Sequence, residues 1–434
     1  MNDNIRSPVA QKQALSVPTD ADAVHDELIA LANDDVDVFG GRVFSLAYVP
    51  DPVTQSLSND AYRMFAHTNG LNADAFPSLR RMQADVVSQI LGWTHAPAGA
   101  AGFMTSGGTE SLILAVRSAL KMYQSSQSAG DTSPGRSPGR LNMVLPTSAH
   151  AAFEKAAEYF DVEARRIPVL PDWRANVSMM AEAIDADTVL LVGSAPQYPQ
   201  GVIDPITELS ELATSRNIPL HVDACMGGVT LTFLERAGEA IPLWDFRLNG
   251  VTSLSVDLHK YGYTAKGAGV LLYRDKQRRA AQTFVTDNWL GGLYGSSGIL
   301  GTKSGGPIAS AWAVMRHLGD SGYQALTVTA RDAALRLANH LEQHDVLQLR
   351  SWPDSTLVSF GTRSNDESIF AIADVLRTKG WYLDRQGPPP SLHATINAVH
   401  ESVMTEFLRD LDDASSRVSA SGTTGRTSTY GTIE

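Results

Sequence analysis

Between residues 141 and 273 the chain alternates short apolar runs with longer stretches of helical periodicity, and this alternation constrains its fold most. The runs are Leu141–Leu145, Thr188–Val192, Pro219–Val222, Val251–Val256 and Gly269–Tyr273. Phe153–Phe160, Ile206–Arg216 and the neighbourhood of Phe233 carry helical spacing. Buried strands in alternation with helices predict an α/β layer, a mainly parallel sheet flanked by helices.

Outside this layer the texture changes. Residues 1–22 are polar and aperiodic and read as a loose arm, with helical text from Ala23 to Leu31. Segment 42–80 holds Tyr48, Tyr62, Phe65, His67, Asn69, Asn72 and Phe76 without a clean period, and suits a surface that wraps something. A helical pattern resumes over 79–91. Residues 124–140 are rich in Ser, Gly and Pro, with too little apolar content to offset their ordering entropy, and read as a mobile insertion. Beyond about residue 310 helical patterns run over 309–318, 322–345, 366–379 and 401–413, with Leu357–Phe360 strand-like between them. The expected organisation is an N-terminal segment over 1–65, a large domain over 66–308, a smaller C-terminal α+β domain over 309–414 and a flexible tail over 415–434.

Charge and cysteine content exclude several classes. With 35 Lys and Arg against 47 Asp and Glu, the formal charge of −12 offers no diffuse positive field for nucleic acid. Cys225 is the sole cysteine, so neither an intramolecular disulfide nor a thiolate zinc cluster can form. No apolar run approaches the ~18 residues of a membrane span, and the first eight residues lack the basic-then-apolar order of a secretory signal. The expectation is a soluble cytoplasmic enzyme without a transmembrane anchor.

Three stretches carry chemistry. Gly102-Phe103-Met104-Thr105-Ser106-Gly107-Gly108-Thr109-Glu110 precedes helical text. A Ser-Gly-Gly-Thr turn that opens a helix aims backbone N–H groups at one spot, where the helix dipole favours an anion; it also reads simply as a tight turn with an N-cap. It is neither a P-loop nor a dinucleotide fingerprint. Next, the apolar run Pro219–Val222 ends in Asp223. A strand-end carboxylate there can pair with a cationic ring nitrogen or a metal, or cap the following helix. Third, Val251–Val256 leads into Asp257-Leu258-His259-Lys260-Tyr261-Gly262-Tyr263, followed by Lys266-Gly267. A lysine at a strand end is usually solvated, whereas a buried one can form an imine with a carbonyl cofactor. Taken together, a phosphate cradle, a strand-end Asp and a strand-end Lys in one α/β layer match pyridoxal 5'-phosphate, which has a phosphate, a protonated ring nitrogen and an aldehyde.

These motifs resemble the fold-type I pyridoxal phosphate enzymes of the group II decarboxylase superfamily, and within it the sphingosine-1-phosphate lyase family. The resemblance rests on Thr105–Ser111, His221-Val-Asp-Ala-Cys-Met-Gly-Gly228, Asp245-Phe246-Arg247 followed by Gly250-Val-Thr-Ser, Asp257–Tyr263, Lys266-Gly267 and Pro389-Pro-Ser-Leu-His393, across residues 40–410. It implies that Lys260 carries the cofactor, Asp223 holds the ring-nitrogen proton and His150 stacks on the ring. It implies that Ser106, Gly107, Gly108, Thr109, His259 and Thr302 hold the phosphate, and that Tyr48, Asn69, Asn72, Tyr198 and Lys266 face the substrate. It further implies a homodimer with shared sites, to which Tyr48, Asn69 and the Gly301-Thr302-Lys303 loop come from the partner chain.

The implied reaction is carbon–carbon cleavage of an amphiphilic amino-phosphate, with amino-acid decarboxylation on the same scaffold as the alternative. A third reading is a cofactor-binding protein without catalysis. Two positions depart from the family's text: Asn72 stands where members read His, and Thr302-Lys303-Ser304 where they read Ser-Arg-Pro. Both fall where substrate choice would be set. His340 and His344 share a metal-ligand spacing but read as a solvated helix face, so no metal is expected. Cys225 reads as a packing residue, and Trp289 and Tyr294 as entrance or interface residues.

Overall fold

The computed structural model of the protein describes residues 18–72, 74–130, 139–366 and 368–421. The described residues up to Asp37 form a unit of their own, whose helix α1 (Ala21–Leu31) is capped by the Asp20 side chain accepting from the Asp22 amide. From Val38 onward the described residues form one compact unit.

That unit is built on seven strands: β1 (Ala101–Thr105), β2 (Asn142–Pro146), β3 (Glu163–Ile167), β4 (Thr188–Ser194), β5 (Leu220–Asp223), β6 (Val251–Asp257) and β7 (Gly269–Tyr273). Their order is β1-β7-β6-β5-β4-β2-β3. β7 runs antiparallel to both neighbours and the other pairs are parallel, so the sheet is mainly parallel, as expected. Alternate residues face two separate cores. Val144, Leu191, Val222 and Val256 pack with Val87, Leu209, Leu231 and Val314, whereas Met143, Leu145, Leu190 and Val192 pack with Leu112, Val116 and Phe153. Burial on both faces is what makes these strands continuous apolar text. β5 and β6 pair in a register that sets His221 opposite Ser253 and Asp223 opposite Ser255.

Helices α2 (Pro52–Phe65), α3 (Pro77–Trp93), α4 (Gly108–Gly130), α5 (Ala152–Phe160), α6 (Val177–Glu182), α7 (Ile206–Arg216), α8 (Gly227–Arg236) and α9 (Lys276–Gln282) accompany the sheet. A hairpin of β8 (Phe284–Thr286) and β9 (Tyr294–Ser296) follows. The long α10 (Gly306–Glu342) is broken at Gly319, whose φ of 55° and ψ of −175° separate the two helical patterns seen in the sequence. A smaller antiparallel sheet then joins β10 (Leu347–Leu349), β11 (Leu357–Thr362), β12 (Asp384–Gln386) and β13 (Ser391–Thr395), in the order β10-β11-β13-β12. It packs with α10, α11 (Ser368–Thr378) and α12 (Met404–Ser421) around Leu337, Phe360, Ile372 and Phe407.

Several expected boundaries move. α10 runs across the boundary expected at 308/309. The segment over 1–65 is not all separate, because Phe44 belongs to the C-terminal core and Val43 bridges Tyr382. Residues 124–130 continue α4 rather than belonging to a loose insertion, while 131–138 lie outside the described residues. Residues 415–421 continue α12, because Val418 is buried in its core; the rest of the expected tail is not described. α2 was absent from the sequence reading, yet Asp51 caps it, accepting from the amides of Val53 at 2.9 Å and Thr54 at 3.0 Å, and Pro52 opens its first turn. No helix among the described residues is long and apolar enough to cross a membrane.

Candidate active site

The parallel strands β4, β5 and β6 end at Ser194, Asp223 and Asp257, and all three residues line one cavity of about 380 Å³ at that edge of the sheet. Carboxyl ends of strands are where open α/β sheets bind ligands. After Asp257 the chain turns tightly: the Lys260 amide donates to Asp257 O at 3.2 Å and the Tyr263 amide to Lys260 O at 2.9 Å, with Tyr263 at a φ of 55°. This turn brings Lys260 Nζ to 3.0 Å from Asp257 Oδ2. Burial opposes the lysine charge, but Asp257, together with Cys225, Tyr48 and Asp223, outweighs it and raises Lys260 above the ordinary lysine range.

Asp223 Oδ1 accepts from the Cys225 amide at 3.1 Å and the Ser255 hydroxyl at 3.2 Å. Burial alone would raise its pKa; His150, Cys225 and Lys260 outweigh that and hold it below the usual carboxylate value. An ionised carboxylate in a closed site is what a protonated ring nitrogen requires. His150 offers its Nδ1 to the Ala152 amide at 3.1 Å, and burial lowers its pKa, with Lys260 adding to that and Asp223 opposing it.

The turn between β1 and α4 carries the anion cradle. Gly107 has a φ of 144°, and a Cβ there would lie 2.7 Å from His259 Cε1. Glu110 fastens the turn, accepting from the Ser106 amide at 2.5 Å and the Ile299 amide at 2.6 Å. Among the described residues, His259 Nδ1 and Asp257 Oδ1 are buried without a hydrogen-bond partner. A side-chain-free cradle at a helix N-terminus, an orphaned buried imidazole nitrogen beside it, a charged Asp and a lysine amine form a donor set that fits pyridoxal 5'-phosphate.

On the open side, burial, with Lys260 nearby, pulls Lys266 down to about 8, and its amine lies 5.2 Å from the Tyr48 ring centroid. Tyr48, which the resemblance assigned to a partner chain's site, lines the cavity of its own chain. Tyr198 donates its hydroxyl to Asp384 Oδ2 at 2.7 Å and packs its ring 4.1 Å from that of His393. Asp384, Tyr198 and His150 also line an adjoining cavity of about 760 Å³, with Val169, Trp173, Pro199 and Pro389.

The structure thus gathers Tyr48, Ser106, Gly107, Gly108, Thr109, His150, Tyr198, Asp223, His259, Lys260 and Lys266 around one cavity. Asn69, Asn72 and Thr302 do not line it. Asn69 donates to Thr302 Oγ1 at 3.4 Å and bridges Ser304, while Asn72 accepts from the Ala75 amide. Lys303 donates to Met104 O at 2.9 Å. The sequence reading gave no role to Asp257, Asp384 or His221. Asp257 stood inside the third motif and His221 inside the second; Asp384, on the short β12, carried no signal.

Other candidates resolve structurally. His340, His344 and Asp412 converge. However, His344 Nδ1 accepts from the amides of Val346 and Leu347, so its proton sits on Nε2, facing Ser415 and Asp412. A protonated nitrogen has no lone pair for a metal. Cys225 is buried, and burial raises its thiol well above the ordinary value. Trp289 packs edge-on to Tyr294, with ring centroids 6.1 Å apart.

The family model of the pyridoxal-dependent decarboxylase conserved domain matches residues 47–363. The chain is 42% identical to the sphingosine-1-phosphate lyase of Arabidopsis thaliana, over 84% of this chain and 66% of the plant protein. It thus spans slightly less than two thirds of that relative's length. It is 36% identical to sphingosine-1-phosphate lyase 1 of Rattus norvegicus, over 91% of this chain and 69% of the rat protein. Among solved structures, the Burkholderia pseudomallei sphingosine-1-phosphate lyase is similar at a TM-score of 0.86 and 33% identity, covering 94% of this chain and 93% of that one. The Lactobacillus brevis glutamate decarboxylase matches at a TM-score of 0.80 and 22% identity, covering 93% and 94%, a likeness of fold alone.

Proposed function

Because the chain belongs to the pyridoxal-dependent decarboxylase family, within its sphingosine-1-phosphate lyase group, we propose that it cleaves a phosphorylated long-chain β-hydroxy amine such as sphingosine 1-phosphate into a fatty aldehyde and phosphoethanolamine. The Cα–Cβ bond breaks in a retro-aldol sense: the β-hydroxyl loses its proton, its carbon leaves as the aldehyde, and a proton returns to Cα. Pyridoxal 5'-phosphate supplies, when bound, an aldehyde for the amine and a ring that accepts the electron pair left at Cα. The observation that carries this reading is the convergence of Lys260, Asp223 and the Ser106–Thr109 turn on one cavity.

The roles follow from the surroundings. Lys260 carries the cofactor. Asp223, kept ionised, holds the proton of the ring nitrogen. His150 lies against the ring. Ser106, Gly107, Gly108, Thr109 and His259 hold the cofactor phosphate. Lys266 and Tyr48 meet the substrate's phosphate end. The candidates for the base are a freed Lys260, Tyr198, Tyr48 and a phosphate-bound group, and the Tyr198 hydroxyl already donates to the Asp384 carboxylate, which argues against Tyr198. The adjoining cavity lined by Val169, Trp173, Pro199 and Pro389 offers room for a hydrocarbon chain.

A homodimer belongs to the same proposal. Phe284, Val285, Trp289, Leu290 and Leu293 leave an exposed apolar run on the β8–β9 hairpin, and Asn69, Asn72, Thr302 and Lys303 would serve the partner's cavity. Sedimentation as a monomer at micromolar concentration would overturn it. A cytoplasmic location rests on Cys225, whose lack of a second cysteine leaves no intramolecular disulfide to favour an oxidising compartment; cell fractionation tests it. The activity itself is tested with sphingosine 1-phosphate. Release of a long-chain aldehyde and phosphoethanolamine is expected, and carbon dioxide from an amino acid instead would overturn the lyase reading.

A further inference from the structure

Resting on the reading of Asp223 as the partner of the cofactor's ring nitrogen, we infer that His221 and Ser255 are positioning residues for it. They form a hydrogen-bond chain of fixed direction in which His221 is neutral and carries its proton on Nε2.

The register of β5 and β6 sets the geometry. His221 and Asp223 lie two residues apart on one strand, and Ser253 and Ser255 sit opposite them on the other. Residues at that spacing share a face of the sheet. His221 is fully buried, as is Ser255, and the distances are 2.8 Å from His221 Nδ1 to Ser253 Oγ, 3.3 Å from His221 Nε2 to Ser255 Oγ and 3.2 Å from Ser255 Oγ to Asp223 Oδ1.

The direction of each bond follows from one fact: an ionised carboxylate only accepts. Ser255 therefore donates to Asp223 and has only lone pairs left for His221. His221 Nε2 must then carry the hydrogen. In a neutral ring Nδ1 is then the acceptor, and Ser253 donates to it. Every hydroxyl and N–H in the chain points towards Asp223. Burial, only partly opposed by Asp223, pulls His221 down to about 4 and keeps it neutral at physiological pH. The edge of the Phe153 ring, with its centroid 6.0 Å away, packs against the imidazole. Cys225 also lies against Ser255 and Asp223; its protonated thiol adds no charge.

The chain does two things for Asp223. It occupies Oδ1 together with the Cys225 amide, which stops the carboxylate turning about its last torsion. It also strengthens the Ser255 bond, because a hydroxyl that accepts is a better donor. Ser253, the far member, lines a separate cavity of about 590 Å³ at the amino ends of the strands, with Thr188, Pro219 and Thr252. The hydrogen bonds thus run through the sheet from one edge to the other.

The first test is made on the purified full-length chain without cofactor or substrate. Nitrogen-15 NMR of labelled histidine, with His221 assigned through His221→Gln, should show a neutral Nε2–H ring at pH 7; an Nδ1–H ring or an imidazolium overturns the proposal. The second is the dissociation constant of pyridoxal 5'-phosphate, read by absorbance titration without substrate. Ser255→Ala should weaken it about tenfold, the loss of one bond to a charged acceptor. His221→Leu should do the same, and His221→Gln, which keeps a donor at the Nε2 position, should recover most of it. Asp223→Ala separates the two levels. If it leaves cofactor affinity unchanged, the reading of Asp223 falls. If it weakens binding while Ser255→Ala, folded by circular dichroism, does not, the positioning role alone falls.

Discussion

Lys260 Nζ lies 3.0 Å from Asp257 Oδ2, so the amine assigned to the cofactor rests as a half-buried ammonium. An ammonium cannot attack an aldehyde, and capture of the cofactor waits on loss of that proton. In Asp257→Asn the counter-charge is gone and burial acts on the lysine with less opposition, which lowers its pKa. Cofactor uptake by the cofactor-free protein should then be faster at pH 7, with its pH dependence moved to lower pH. Stopped-flow absorbance across pH measures this, and an unmoved profile would clear Asp257 of the role.

Lys266 gives a second pH dependence, of opposite origin. Burial pulls it down to about 8, so its charge is complete well below that pH and lost above it. If it meets the substrate's phosphate, kcat/KM should fall as pH rises through about 8, since this ratio reports groups of the free enzyme. Lys266→Arg should move that limb beyond the accessible range, and Lys266→Gln should depress kcat/KM below about pH 8 and abolish the limb, converging on the parent above it. A limb unaltered in the Arg variant would point to another group.

Tyr198→Phe separates positioning from proton transfer. A general base contributes about 10²–10⁴-fold, whereas the Tyr198 hydroxyl already donates to Asp384. The variant should keep kcat within about tenfold of the parent, the scale of one lost hydrogen bond to a charge. Steady-state kinetics with saturating cofactor decide, and a thousandfold loss would restore Tyr198 as the base.

Gly107→Ala tests the cradle. The new Cβ meets His259 Cε1 at 2.7 Å, on a backbone φ of 144° that side chains avoid. The imidazole must shift, and with it the ring nitrogen that is buried without a partner. Cofactor affinity should fall at least tenfold, by about 1.4 kcal/mol, while far-ultraviolet circular dichroism stays unchanged. Unaltered affinity would place the phosphate elsewhere.

Legibility followed burial. β4 and β7 were readable because both faces are covered, which writes apolar residues at every position. β3 was not, because Glu-Ala-Arg-Arg-Ile is the edge strand, and its arginines are satisfied by Glu154, Glu163 and Asp185. β1 was missed because Ala101 and Gly102 dilute its apolar text. α2 hid for another reason: its buried residues are Thr54, Ser58 and Ala61, small side chains that let it approach α10, where Ser58 and Ser310 meet at 2.7 Å. A hydrophobic period cannot report a face made of hydroxyls, and only Asp51-Pro52 marked that helix. The site divides in the same way. Strand-end residues such as Asp223 and Lys260 were visible as motifs. Asp384 was not, because no local pattern links β12 to Tyr198.

The pairing of β5 with β6 has a consequence for how the protein is assembled. Side chains alternate across a sheet, so a slip of one residue would turn Ser253 and Ser255 away and set Leu254 or Val256 against His221 and Asp223. Such a molecule would bury two polar groups against hydrocarbon and leave the carboxylate without its donor. A sheet closed in the wrong register is therefore both unstable and chemically silent, and in any refolded preparation specific activity counts the molecules whose two central strands found each other correctly.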